Sequence, residues 1–243
     1  MNSTRQTQVF IGAMVLAAAG SAGYAGFLSH TIHPYYALAV LALAAATSRM
    51  KVKLPGIDGN MSVNLPFLIT AAVSLSAVET VAIASVCTVV QCWPRREAKF
   101  KPQQMVFNVS MMALVSSVAC FVVHAGAQRT DTWASTATLI LATTTLFLGQ
   151  TAPVSAVIRL SQGGSVWQIW WRLAQLSFPY YVVSAGVTSM MQSVGHRMGW
   201  EVALAIFPVM YGIHRSYRLY FSGMIQTSQA PLLARARATS AGV

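Results

Sequence analysis

The stretch SVNLPFLITAAVSLSAVETVAIASVCTVVQCW, residues Ser62–Trp93, decides the fold. It is about 30 residues of nearly uncharged sequence, too long for one untilted membrane helix of about 20. Ser74, Ser76 and Glu79 interrupt its middle. Two conformations fit: one long tilted helix, or a hairpin of two short helices turning near Ser74–Ser76. The choice sets the side on which every later loop falls.

The remaining apolar stretches are Val9–Leu28, Pro34–Ser48, Met105–Ala125, Trp133–Ile158, Ala174–Val194 and Trp200–His214. Lysine and arginine gather on one side of a bilayer, because carrying them across it is costly. With the hairpin, Arg5, Arg49, Lys51, Lys53, Arg95, Arg96, Lys99, Lys101, Arg159, Arg172, Arg215, Arg218, Arg235 and Arg237 share one face. Only Arg129 and Arg197 face the other way, 14 against 2. A single crossing gives 6 against 10 and almost no bias. The hairpin is therefore expected. Its arms of about 14 and 17 residues would extend ~21 and ~25 Å at 1.5 Å per residue. A deep re-entrant loop and two thin crossings share the same parity.

The fold expected is thus an all-α integral membrane protein of six transmembrane helices plus a broken helical hairpin at Ser62–Trp93. It forms one polytopic domain over residues 1–222, followed by a short polar tail over 223–243. Both termini are expected in the cytoplasm of a bacterial cell, the chain being held in the inner membrane. The apolar run from Val9 continues to Leu28, beyond a signal-peptide core of about 7–15 residues, so a retained first helix is expected.

Composition supports this solvent. Of 243 residues, 55% are apolar and 9% charged, and the mean hydropathy is +0.56. A soluble domain carries about 25% charged residues. The net charge of +11 flanks hydrophobic spans, so lipid headgroups are the expected partner and nucleic acid is not. Cys87, Cys92 and Cys120 lie in apolar stretches without metal-ligand spacing.

Smaller signals fill in the loops. Pro55, Gly56 and Gly59 follow the basic collar Arg49–Lys53 and mark a turn. Gly163-Gly164, then Trp167, Trp170 and Trp171, predicts a short interfacial helix. Ala18, Ala19, Ala22, Gly23 and Gly26 make a small-residue stripe on the first helix, where a second copy of the chain could pack.

Candidate chemistry is sparse. Glu79 starts the second hairpin arm, where the positive end of a helix favours a carboxylate. With Ser74, Ser76, Thr80 and Asn108 it forms the candidate ligand-binding set, expected around a cavity opening outward beside Ser76 and Glu79. Gln91, Gln150 and Gln175 are further polar groups in or beside spans, with interhelical hydrogen bonding as their default role. His30, His33, His124 and His196 map to the outer ends of helices. Imidazoles on one rim could hold a transition metal. No nucleophile–base arrangement, G-x-S-x-G, H-E-x-x-H or phosphate loop occurs, so no enzymatic activity is expected and no cofactor is indicated.

The segment SRMKVKLPGIDGNMSVNLPFLITAAVSLSAVETVAIASVCTVVQ resembles part of the polytopic membrane sensor regions that precede bacterial HD-GYP phosphodiesterase and GGDEF cyclase domains. The likeness rests on the basic collar, Leu54-Pro55-Gly56, Ser62-Val63, the broken double arm, Asn108 and the exit sequence Tyr211–Phe221. It covers roughly residues 34–222 and is mainly a hydrophobic pattern. It implies a non-enzymatic sensory or scaffold module, here without the output domain, acting through a separate protein partner at the cytoplasmic face or within the membrane. The architecture is also similar to the substrate-binding subunits of vitamin and metal importers, which implies a solute- or ion-binding transport component. An accessory subunit of a larger membrane complex is the third expectation.

Overall fold

In a computed structural model the described residues are 3–28, 32–53, 60–94, 100–126 and 132–198, with isolated helical positions at 208, 211, 212, 215, 216 and 219. They form seven helices and one short β-hairpin. The helices are α1 (Ser3–Leu28), α2 (Pro34–Ser48), α3 (Leu65–Ser74), α4 (Ala77–Cys92), α5 (Pro102–Gly126), α6 (Thr132–Gln162) and α7 (Val166–Met198). Strands β1 (Lys51–Lys53) and β2 (Asn60–Ser62) pair antiparallel, with Val52 opposite Met61. The basic collar thus pairs with a second strand, a pairing not foreseen from the sequence, and the turn expected at Pro55, Gly56 and Gly59 lies outside the described residues.

The Ser62–Trp93 stretch is broken where its serines stand. Leu75 and Ser76 are extended, with ψ of 166° and 159°, and separate α3 from α4. The arms double back. Thr80 Oγ1 donates to the Ala71 carbonyl at 2.9 Å, and the Cys87 thiol reaches the Ser48 and Asn64 side chains. Residues equally far from the break therefore meet, as only a hairpin allows.

Side-chain pairs give the direction of each helix. Phe10 stacks near Phe107 and Tyr24 near Phe121, so α1 and α5 run parallel. Asn64 Nδ2 donates to Ser48 Oγ, while the His33 amide meets Glu79, so α2 runs with α4 and against α3. The Leu65 amide donates to the Tyr180 hydroxyl and Thr188 Oγ1 to the Pro66 carbonyl, which sets α7 parallel to α3. Phe147 contacts Phe178 and Thr151 meets Trp170, so α6 opposes α7. Helix direction alternates along the chain. Arg5, Arg49, Lys51, Lys53, Lys101, Arg159 and Arg172 therefore lie at one end of the bundle, and Arg197 is placed at the other.

The short arm α3 is the centre. Every residue from Val63 to Ala72 is buried, with Phe67, Ile69, Ala71 and Ala72 fully so. Irregular backbone at such depth is tolerable only when protein groups saturate it. Here the Leu75 carbonyl accepts from the Cys120 thiol, and the Ser76 amide donates to Glu79. Helices α5 and α6 pack tightly at Gly149, where an added Cβ would lie 2.6 Å from Val115 Cγ1. A glycine is required at this crossing for steric reasons alone.

Among the described residues three helices are long and apolar enough to cross a membrane: Arg5–Phe27, Pro102–Ala125 and Thr136–Gln162. The expected number was six. Helix α2 has 15 residues, only ~22 Å of rise. The stretch Ala174–Val194 belongs to the 33-residue α7, which is too polar to meet the same criterion. Trp200–His214 falls almost wholly outside the described residues. The expected interfacial helix is not separate either. Gly163 and Gly164, at φ of +81° and +96°, end α6, and α7 runs unbroken from Val166 through the tryptophans. Trp167 and Trp170 stack with centroids 5.0 Å apart.

Candidate functional site

Glu79 sits where a helix needs an acid. Ser76 caps α4: its Oγ accepts from the Glu79 amide, and the Glu79 carboxylate accepts from the Ser76 amide and hydroxyl at 3.0 and 2.7 Å. The S-x-x-E spacing is what this reciprocal box requires. Its other oxygen accepts the His33 amide at 2.6 Å, tying the start of α2 to the start of α4. Glu79 is 7% exposed, and all of these partners belong to the protein.

The other members of the expected set divide between the two ends. Thr80 is fully buried on the Ala71 carbonyl, and the Ser74 hydroxyl meets Tyr36. Asn108 stands at the opposite end of the bundle, where its Nδ2 donates to Cys92 Sγ at 3.4 Å.

Asn108 opens onto a cavity of about 490 Å³. Gln91 of α4, Asn108 of α5 and Gln150 of α6 all face this space. In the sequence each is a separate polar group in or beside a span, and only tertiary packing joins them. Gln175, the fourth, is exposed on α7. Thr7, Lys101, Gln103, Ser161 and Gln162 form the rim, all near helix ends at the basic end of the bundle. Leu68, Met112, Val154 and Gln150 lie deeper. Gln150 is twelve residues from the end of α6, so the cavity penetrates ~18 Å. A volume of this order fits a small organic molecule.

The electrostatics are one-sided. Among the described residues no carboxylate lines the cavity, and Lys101 is the single charged residue of its lining. Glu79, the only acid among the described residues, lies at the far end of α4. An adjoining open groove between α1 and α6 shares Ser161 and Gln162 and adds Arg159. Trp170 Nε1 donates to Thr151 Oγ1 at 3.1 Å and fixes that wall against α7.

The expected outward opening beside Glu79 thus has its counterpart at the other end. Of the histidines, His33 acts through its backbone amide, and His124 Nδ1 donates to the Cys120 carbonyl at 2.8 Å. His30 lies outside the described residues, and the His196 side chain is not described. Among the described residues no three His, Cys, Asp or Glu side chains cluster as a metal site would need. No protein family, curated protein or solved structure matches the chain.

Proposed function

We propose that the chain is a multi-pass membrane protein that binds a small organic solute, acting as the binding component of a transport system. The observation that carries this reading is the amide-lined cavity built by α4, α5 and α6 beside the broken α3–α4 element. A concave, mostly apolar pocket with a few convergent polar groups is the usual form of a small-molecule site. By the positive-inside rule the cavity opens to the cytoplasm, and the chain sits in a bacterial inner membrane with its N-terminus inside. The three long apolar helices, α2, the hairpin and α7 pack together as one membrane body. The sensory or scaffold role, with a partner docked on the basic face, rests on Tyr211–Phe221, most of which lies outside the described residues. An accessory role in a larger complex has no further support.

Two labelling results are expected in a background freed of the native cysteines. Cysteines at Lys51, Lys101 and Arg159 should react with an impermeant maleimide from one compartment, and a cysteine at Tyr35, 89% exposed at the other end, from the opposite one. Mixed sidedness among the first three would remove the membrane orientation. For the cavity, Val154→Cys should react with a charged methanethiosulfonate supplied on the Lys101 side. Reaction from neither side, or only from the other, would rule out an open solute site.

A further inference from the structure

The two longest helices each carry an internal proline, Pro153 in α6 and Pro179 in α7. A proline inside a helix donates no backbone hydrogen bond, so the Gly149 and Gln175 carbonyls lose their helical partners. Long helices bend at such points. Contacts between α6 and α7 set the two interruptions side by side. Phe147 meets Phe178 and Tyr181, and Thr151 meets Trp170. Gly149 lies midway between the two contact residues of α6, and Gln175 near the middle of those on α7. Both helices are therefore interrupted at one depth in the bundle. Beyond it the arms Val154–Gln162 and Val166–Ala174 have nine residues each, and the Gly163-Gly164 turn joins them. Arms joined in this way can bend only together, and only where both are weak at the same level.

Packing differs on the two sides of that level. Toward the bundle centre Leu146 and Thr188 are fully buried, the Tyr180 hydroxyl accepts from the Leu65 amide, and Thr188 Oγ1 donates to the Pro66 carbonyl. That half is fastened to α3. Among the described residues from Pro153 to Arg172, Ser155 alone is buried. A segment with few buried contacts moves at small cost. The α6–α7 hairpin also has space on both faces. Val154, Val157, Ile158 and Leu173 line the cavity, while Arg159, Leu160 and Gly163 line the groove beside α1. A swing toward the cavity narrows its mouth, and a swing toward the groove widens it.

We propose that Val154–Ala174 is a gate. It moves as one body about paired hinges, Gly149–Pro153 and Gln175–Pro179, and its position sets access to the cavity from the basic end of the bundle. A few residues that absorb a backbone change are enough to carry a closing element. The proposal rests on the solute-binding reading of the cavity and adds how that site is opened.

Spin labels test it on the full chain in nanodiscs, in the background freed of the native cysteines. One label sits on Trp93→Cys, exposed at the end of α4, and the second on Gln168→Cys, exposed in the hairpin. A reference pair joins Trp93→Cys to Val182→Cys, exposed on α7 beyond its hinge. Pulsed electron–electron double resonance should give the Gln168 pair a distance distribution about twice as broad as that of the reference pair. Either Pro153→Ala or Pro179→Ala alone should narrow it to the reference width, since restoring one helix stops both joined arms. Each single variant therefore serves if the other disturbs folding. In the same variants the rate at which methanethiosulfonate modifies Val154→Cys should change about threefold or more. Equal widths in the parent, or a broad Gln168 distribution that neither replacement narrows, overturns the gate and leaves the cavity standing. A modification rate that neither replacement alters overturns it as well. Reaction of Val154→Cys from neither side removes the solute site and the gate together.

Discussion

Gly149→Leu is expected to prevent α6 from seating on α5 and to abolish the monodisperse, cooperatively melting protein. Even alanine places a Cβ 2.6 and 2.7 Å from the two Val115 methyls and 3.2 Å from Val115 Cβ. Val115 is buried and β-branched, so its rotamer is constrained within a helix and cannot swing aside. Overpacking of this kind costs about 1–3 kcal/mol. Intrinsic propensity argues the other way, since alanine is favoured over glycine in a helix interior by about 1 kcal/mol. The steric term wins because both methyls and Cβ stand in the way at once. Gly149→Ala should therefore lower the melting temperature. Val115→Ala in the same chain should recover most of the loss, because it removes the methyls that collide. Thermal melting of the two single variants and the double variant checks this. Additive losses would mean that the two helices do not meet at this point.

The second large effect is expected at Glu79. Its carboxylate accepts from the Ser76 amide, the Ser76 hydroxyl and the His33 amide. Glu79→Leu strands all three donors in surroundings that offer little water. Each buried donor left unpaired costs about 1–3 kcal/mol, so the total should be about 3 kcal/mol or more. Glu79→Gln keeps one acceptor oxygen and loses the charge, so about half that loss is expected. Hydrogen exchange should rise at Ser76, at Glu79 and at the start of α2 together, because one carboxylate joins them. The same pair of variants separates a capping acid from a ligand-binding one. If Glu79→Gln melts like the parent yet loses solute binding, the capping role is the wrong one.

Much of the broken element could be read in the chain itself. Serine at 76 and glutamate at 79 have the spacing of a capping box, and they stand in the middle of a stretch twice the length of the arm each can support. The central position of α3 could not be read. Leu65–Ser74 is apolar on all sides, and a helix facing lipid looks the same, because lipid tails are as apolar as the side chains of a protein core. The expectation of six spans erred for a related reason. Hydropathy identified the apolar stretches, but α2 is too short by length, and α7 too polar by composition, to qualify alone. The β1–β2 pairing was hidden because three residues per strand carry almost no periodic signal.

The candidate site divides along the same line. Gln91, Asn108 and Gln150 each stood out as polar residues in apolar surroundings, and Glu79 stood out more because it is charged. The strongest one-dimensional signal thus marked a helix cap, while three weaker ones share a cavity.

The sequence by itself determined where the chain doubles back and which end of the bundle collects the positive charge. Both follow from local costs: an ammonium or guanidinium cannot be left in an apolar medium, and a carboxylate three residues after a serine closes a helix start. Only the tertiary structure decided that α3 lies at the centre and that Gln91, Asn108 and Gln150, from three helices, line one cavity. Those facts depend on how each helix is rotated and how closely it approaches its neighbour. At Gly149 and Val115 that approach is set by the absence of a single carbon atom.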